Sequence, residues 1–235
     1  MEFTKICAPT LKQLFVRQVE DMILSGKLEI GSQLPGEREL AEQMQVSRAV
    51  VNAGVAEMAG KGFLEIRPRI GIFVADYHRS GTLETLVSIM NYNGGNLRRA
   101  EIRSILEIRI ALDRLTVQRV CAGAATEDLR ALAHYMDEMA VSDSPAKSTA
   151  IAFAFHHELS VLSGNTLLPL IYSSFKVPIM SLWERYCRLH GTNTIYYNTN
   201  KLYQLIIERN TEQAIQWIEI YIGQSIEGSM EIYSE

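Results

Sequence analysis

No part of this sequence is rich in positive charge. Its 235 residues carry 23 Lys and Arg against 27 Asp and Glu. Residues 1–77 hold nine basic and ten acidic residues, and the remainder 14 and 17, for net charges of −1 and −3. A polycationic arm is thereby excluded, so any contact with nucleic acid must come from basic residues gathered on one face. Cysteine is equally scarce. Cys7, Cys121 and Cys187 are odd in number, far apart and without a C-x-x-C pair. That argues against a disulfide framework or a thiolate metal site and fits a reducing cytoplasm. No apolar run reaches the ~18 residues of a membrane span. The opening MEFTKICAPTLKQLF lacks an apolar core with a cleavage site, so no secretory route and no membrane partner are expected. Catalytic signatures are missing too. There is no nucleophile–base pair, no G-x-S-x-G and no Walker loop, so an enzyme is not expected.

What is present is mostly helical pattern. Apolar residues make up 47% and charged residues 21%, which suits a globular chain long enough for two domains. In LKQLFVRQVEDMILS (11–25), Leu11, Leu14, Phe15, Val19, Met22 and Ile23 share one helical stripe, and Gly26 stops it. Residues 27–36 read as a loop. Residues 37–45 predict a short helix with Leu40, Ala41 and Met44 inward. Ser47 is a good N-cap for a helix over 48–60 that buries Val50, Val51, Val55 and Met58 and ends at Gly62. FLEIRPRIGIFVAD then offers two short β-prone runs around Arg67-Pro68-Arg69. After a linker near 76–82 the strands cease. Helices are predicted at about 83–92, 97–122, 127–141, 147–163, 167–190, 195–209 and 212–232, punctuated by Gly94-Gly95-Asn96 and Ser163-Gly164-Asn165. The fold class is mainly α: a small mixed domain over 1–77 and an all-α bundle of about seven helices over 78–235.

LPGERELAEQMQVSRAVVNAGVAEMAGKGFLEI (34–66) sets two short helices either side of a tight turn. This is the helix-turn-helix unit, whose second helix fits a major groove. Arg48 stands at its start, where base edges come closest. The β-prone pair behind it reads as a wing, with Arg67 and Arg69 aimed at phosphates or the minor groove. Arg38, Arg48, Lys61, Arg67 and Arg69 together would make one positive face on a domain of near-zero net charge.

These residues resemble the GntR family of winged helix-turn-helix regulators. The family pattern L-P-S-E-R-E-L-A, V-S-R-x-x-V-R-x-A-L and G-x-G-x-F-V is similar to LPGERELA, VSRAVVNAG and RIGIFV over roughly residues 10–75. The resemblance implies double-stranded DNA as partner, with Arg38, Ser47, Arg48, Asn52, Lys61, Arg67, Arg69 and Gly71 at the contact. Gly36 replaces the family serine, Asn52 an arginine, Gly54 an alanine and Arg69 a glycine. Asn pairs best with adenine and Arg with guanine, so the family's usual operator is not expected. One reading helix per chain makes too little contact alone for specific affinity, which implies a homodimer on a palindromic site.

Downstream, LEIR at 106–109 and FHHELSVLSGN at 155–165 resemble the all-helical effector domain of the FadR subfamily. Many such domains hold a divalent metal through one carboxylate and three imidazoles. By that resemblance only His156 is kept. Ala152, Thr199 and Tyr221 stand where the acid and the other two imidazoles belong, so no metal and no cofactor are expected. Arg109, Asp113, His156, Thr199 and Tyr221 are the effector-site candidates. Arg109 either pairs internally with Asp113, four residues on, or forks onto a ligand carboxylate or phosphate. The expected effector is a small acidic metabolite. The alternatives are an acyl-coenzyme A or fatty-acid-type ligand, or a winged domain that serves as a protein-interaction module.

Overall fold

The computed structural model describes residues 8–92 and 99–232. Cys7 and the Gly94-Gly95-Asn96 break lie outside the described residues. Thr10 opens α1 (Leu11–Leu24) with a reciprocal cap: its hydroxyl accepts from the Gln13 N–H at 3.2 Å, and Gln13 Oε1 accepts from the Thr10 N–H at 2.8 Å. The helix buries Phe15, Val16, Val19, Ile23 and Leu24. Leu11 and Leu14 match the stripe but sit in its first turn, exposed and outside the core.

Next come α2 (Glu37–Gln43) and α3 (Arg48–Gly60). Between them Gln45 takes a left-handed φ of 53°, and the Val46 N–H reaches back to the Ala41 carbonyl at 3.1 Å, which closes α2 and turns the chain. The Ser47 hydroxyl then accepts from the Val50 N–H at 3.3 Å and starts α3. At its far end Gly62, with φ 77°, permits the Phe63 and Gly62 N–H groups to bond the Met58 and Ala59 carbonyls, both at 3.0 Å. β1 (Leu64–Arg67) and β2 (Gly71–Val74) pair antiparallel, Leu64 opposite Val74 and Arg67 opposite Gly71. Phe15, Val51, Met58 and Phe63 form the centre of the core. α3 lies across α1 at Gly54, where the Phe15 ring fills the space a side chain would take.

α4 (Tyr77–Ser80) and α5 (Leu83–Asn91) follow. The buried Thr85 hydroxyl donates to the Lys61 carbonyl, Ser88 donates to Glu20 at 3.0 Å, and Ile89 and Tyr92 pack on the same core. The first unit therefore runs to Tyr92, past the boundary expected at 77.

The second unit is helical throughout its described residues: α6 (Arg99–Gly123), α7 (Thr126–Ala131), α8 (Ala133–Ala140), α9 (Pro145–Leu162), α10 (Leu168–Ser174), α11 (Lys176–His190), α12 (Thr192–Ile207) and α13 (Thr211–Ile226). α9 is its centre, packed by α6, α8, α10, α11 and α12, and α13 lies along α6. Two predicted helices are each broken once. Pro178 has no N–H and its ring excludes the carbonyl at position 174, so α10 stops at Ser174 and α11 restarts. At Leu132 the N–H bonds Leu129, three residues back, which tightens the turn between α7 and α8. The end of α6 is sealed by Arg209, which donates to the carbonyls of Val120, Cys121 and Ala124 at 2.9, 3.2 and 2.6 Å.

Candidate functional site

In the first unit the capped start of α3 faces solvent. Ser47, Arg48 and Asn52 are exposed, and Arg48 has no ion-pair partner among the described residues. Asn52 is one turn on. With its amide oriented so that nitrogen faces carboxylate, it donates to Glu37 Oε2 at 2.7 Å, Glu37 Oε1 at 3.0 Å and the Arg48 carbonyl at 3.2 Å. Arg38 is exposed and lies 3.6 Å from Glu42. An exposed pair of this kind is worth ~0.2–1 kcal/mol and leaves the guanidinium available to a phosphate.

The wing is a tight turn from Arg67 to Ile70. Pro68 occupies its second position, Arg69 its third with φ 63°, and the Ile70 N–H bonds the Arg67 carbonyl at 3.0 Å. A positive φ at the third position is what glycine usually supplies. Here an arginine accepts the strain and is presented at the tip. Gly71 has φ 147°, and a side chain there would run into the Gln33 amide. Gln33 also donates to the Ile70 carbonyl at 3.1 Å and so braces the wing. Arg67 stacks on Phe73 at 4.4 Å and pairs with Glu65 at 2.8 Å. Lys61 departs from the expected face. It follows the C-terminal end of α3, ~20 Å along the helix from Arg48, and its ammonium is partly buried between Glu20 at 2.9 Å and Glu57 at 3.5 Å. Its charge holds α1 to α3.

In the second unit the five effector candidates converge. Arg109 and Asp113 on α6 are both buried, with Nε 3.3 Å from Oδ2. Neither of those two atoms has a well-directed hydrogen bond. Arg109 Nη2 instead donates to the Tyr221 hydroxyl at 3.2 Å, and the guanidinium lies over the Trp183 ring at 4.4 Å. Tyr172 donates to Asp113 Oδ1 at 3.2 Å. His156 Nδ1 stands 3.9 Å from the same oxygen, its ring parallel to Tyr172. Burial, reinforced by Arg109, pushes the His156 pKa well below the usual value, so the imidazole is neutral. Burial raises the Asp113 pKa more than Arg109 lowers it. Burial likewise raises the phenols of Tyr172 and Tyr221. Beside this cluster Arg109, His156, Trp183, Thr199 and Tyr221 line a cavity of about 20 Å³, room for a single water.

The donors do not suit the divalent metal of similar effector domains. His156 is one neutral imidazole, Ala152 brings no oxygen, and Thr199 and Tyr221 bring hydroxyls. Asp113 is already engaged by Arg109 and Tyr172. Among the described residues no three His, Cys, Asp or Glu converge. A guanidinium within the cluster adds repulsion toward a dication.

The family model "Bacterial regulatory proteins, gntR family" matches residues 12–74, and the FCD domain model matches residues 104–223. The chain belongs to the GntR family. Its first unit matches the model of that family of bacterial regulatory proteins and its second the FCD domain, and the chain spans less than two thirds of the length of several relatives it matches. It is 30% identical over 172 residues to the HTH-type transcriptional regulator YieP of Escherichia coli, covering 70% of this chain and 73% of that protein. An HTH-type transcriptional regulator of Mycobacterium tuberculosis is 29% identical over 154 residues, 66% of this chain and 62% of its own length. The Uxu operon transcriptional regulator of Escherichia coli is 26% identical over 153 residues, 64% and 57%. The solved structure of Lar, which controls expression of the Listeria monocytogenes agr system, shares the fold at a TM-score of 0.63 and 16% identity, over 94% of this chain and 97% of that one. No helix among the described residues of this regulator is long and apolar enough to cross a membrane.

Four residues of these sites are given no role by the sequence. Gln33 looks like an ordinary loop residue and Glu37 stands in the LPGERELA motif as a helix-start acid, and only the fold brings them to the wing and to Asn52. Tyr172 and Trp183 read as core aromatics on amphipathic helices, and nothing in their spacing marks them as partners of Asp113 and Arg109.

Proposed function

We propose that the protein is a homodimeric, ligand-responsive regulator that binds a palindromic DNA operator and answers a small acidic metabolite held near Arg109. The observation that carries the DNA reading is the exposed, Ser47-capped start of α3 with Arg48, which has no ion-pair partner among the described residues, on the same unit as a braced wing that ends in Arg67 and Arg69. A two-fold dimer supplies two such helices to half-sites about one duplex turn apart. For the effector, Arg109 is a buried cation whose Nε lacks a directed partner, beside hydroxyls of Tyr221 and Thr199 suited to carboxylate oxygens. The 20 Å³ cavity admits neither a metabolite nor an acyl chain as it stands, so a ligand enters by displacing side chains. An acyl chain asks for far more displacement than a small acid, which favours the acid.

The test is selection of bound duplexes from a random pool, with and without a panel of small mono- and dicarboxylic acids. A two-fold symmetric motif, released by one member of the panel, is expected. The paired replacement Arg109→Met with Asp113→Leu leaves no unpaired buried charge. It should keep the motif and lose the release. A pool without enrichment refutes the DNA reading, and release that survives the paired replacement refutes the effector site.

A further inference from the structure

The Asn52 side chain points to a base-reading residue on the preceding helix, α2. A side-chain amide has two N–H donors and one carbonyl acceptor. In Asn52 both donors are engaged, by the Glu37 carboxylate at 2.7 and 3.0 Å and by the Arg48 carbonyl at 3.2 Å. Its carbonyl oxygen alone is left over. The bidentate contact of asparagine with adenine needs a free donor for N7 as well as an acceptor for the N6 amine. An amide held this way has no such donor. The neighbouring carboxylate is acceptor-only when ionised. Both side chains are exposed, on the same edge of the helix-turn-helix as Arg48. That edge therefore offers several hydrogen-bond acceptors, and Arg48 one turn earlier is the donor.

Base edges in the major groove sort sharply against such a surface. Guanine presents two acceptors there, thymine one acceptor and a methyl, and adenine an acceptor beside its amine. Cytosine presents a donor and no acceptor. We propose that Glu37, fixed by Asn52, reads the exocyclic amine of a cytosine at the base step facing residue 52. The proposal rests on α3 being the DNA-reading helix. It replaces the adenine contact that Asn52 by itself suggests. Glu37 is the orienting and accepting group, and Asn52 holds it in place.

The experiment is duplex selection from a random pool with the full-length wild type, Glu37→Ala, Glu37→Gln and Asn52→Ala, each first shown to keep the wild-type circular dichroism spectrum. The wild type should favour cytosine at one position of each half-site by at least about fivefold, the low end of a good base contact. Glu37→Ala frees the amide, and that position alone should turn to adenine. Glu37→Gln, which adds a donor to the edge, should lose the cytosine preference, as should Asn52→Ala. Half-sites unchanged by Glu37→Ala overturn the assignment while leaving the DNA-reading function standing. A wild-type pool with no enriched sequence overturns that function, and the assignment with it.

Discussion

Gly54→Ala sets local helix preference against packing. Within a helix alanine is favoured over glycine by ~1 kcal/mol, so local preference alone predicts a more stable α3. The fold predicts the reverse. A Cβ at position 54 would stand 2.7 Å from Phe15 Cε1, with Cδ1 closer still and Cγ at 3.1 Å. Phe15 is 1% exposed and wedged in the centre of the core, so its ring cannot swing aside. Overpacking of this kind costs ~1–3 kcal/mol, which leaves the substitution destabilising by up to ~2 kcal/mol after the propensity gain. Phe15→Val removes Cδ1 and Cε1. In that background Gly54→Ala should stabilise α3 by ~1 kcal/mol, a change of sign that only direct contact produces. Both tryptophans, Trp183 and Trp217, belong to the second unit. Their fluorescence is blind to α3, and the measurement is amide hydrogen exchange of its backbone. At 1.4 kcal/mol per tenfold, protection should fall by up to ~30-fold in Gly54→Ala and rise ~5-fold when alanine is added to Phe15→Val. Equal effects in the two backgrounds, or a gain of protection in the wild type, would refute the argument.

Three more perturbations separate the roles of the charged residues. Arg48→Ala should erase the preference at the base step facing residue 48 with the fold intact, since each half-site gives up a base interaction worth ~1–3 kcal/mol; a wholly unchanged motif in duplex selection would show that Arg48 does not read bases. Arg67→Ala should weaken all duplexes alike and lower the salt slope by about one for each phosphate it no longer neutralises. Lys61→Ala should leave that slope unchanged, because its charge is held by Glu20 and Glu57; a reduced slope would return Lys61 to the DNA face. His156 has a depressed folded pKa, so the unfolded chain binds the extra proton. Its contribution is complete above about pH 6.5 and falls away below that at ~1.4 kcal/mol per pH unit. Asp113, with its pKa raised by burial, works in the opposite sense: its contribution grows as pH falls through its folded pKa. Denaturant titrations followed by tryptophan fluorescence should show an acid-side slope that flattens in His156→Gln, and an unflattened slope would place the proton elsewhere.

The fold is legible in the sequence wherever local chemistry decides it. Ser47 as a cap, Gly62 as a stop and the two β-prone runs about Pro68 each act over a few residues, and each forms as its sequence implies. Legibility ends where the deciding partner is distant in sequence. Leu11 and Leu14 fit the apolar period of α1, yet the core begins at Phe15, because what α1 meets is α3. Pro178 is a different case: its effect is local, and its position alone suffices to break the predicted helix at 167–190.

The same division explains the sites. Arg109 and Asp113 are one turn apart on α6, so their pairing follows from helical spacing. That the pair is enclosed by Trp183, Tyr172 and Tyr221 depends on three other helices and cannot be counted along the chain. Charge counting misleads most at the DNA-facing unit. Five basic residues look like one positive face, but Lys61 neutralises two partly buried carboxylates between α1 and α3, while Arg38 and Arg67 have carboxylates of their own. Arg48 and Arg69 are left without an ion pair among the described residues. A unit of this kind gains modest affinity from bulk electrostatics, since Arg38 and Arg67 meet phosphates beside Glu42 and Glu65, whose charges offset part of theirs. Its discrimination then falls on the few groups at the start of α3, where Arg48 donates and Glu37 and Asn52 accept, and that is why a single exposed carboxylate there should weigh so heavily in the choice of operator.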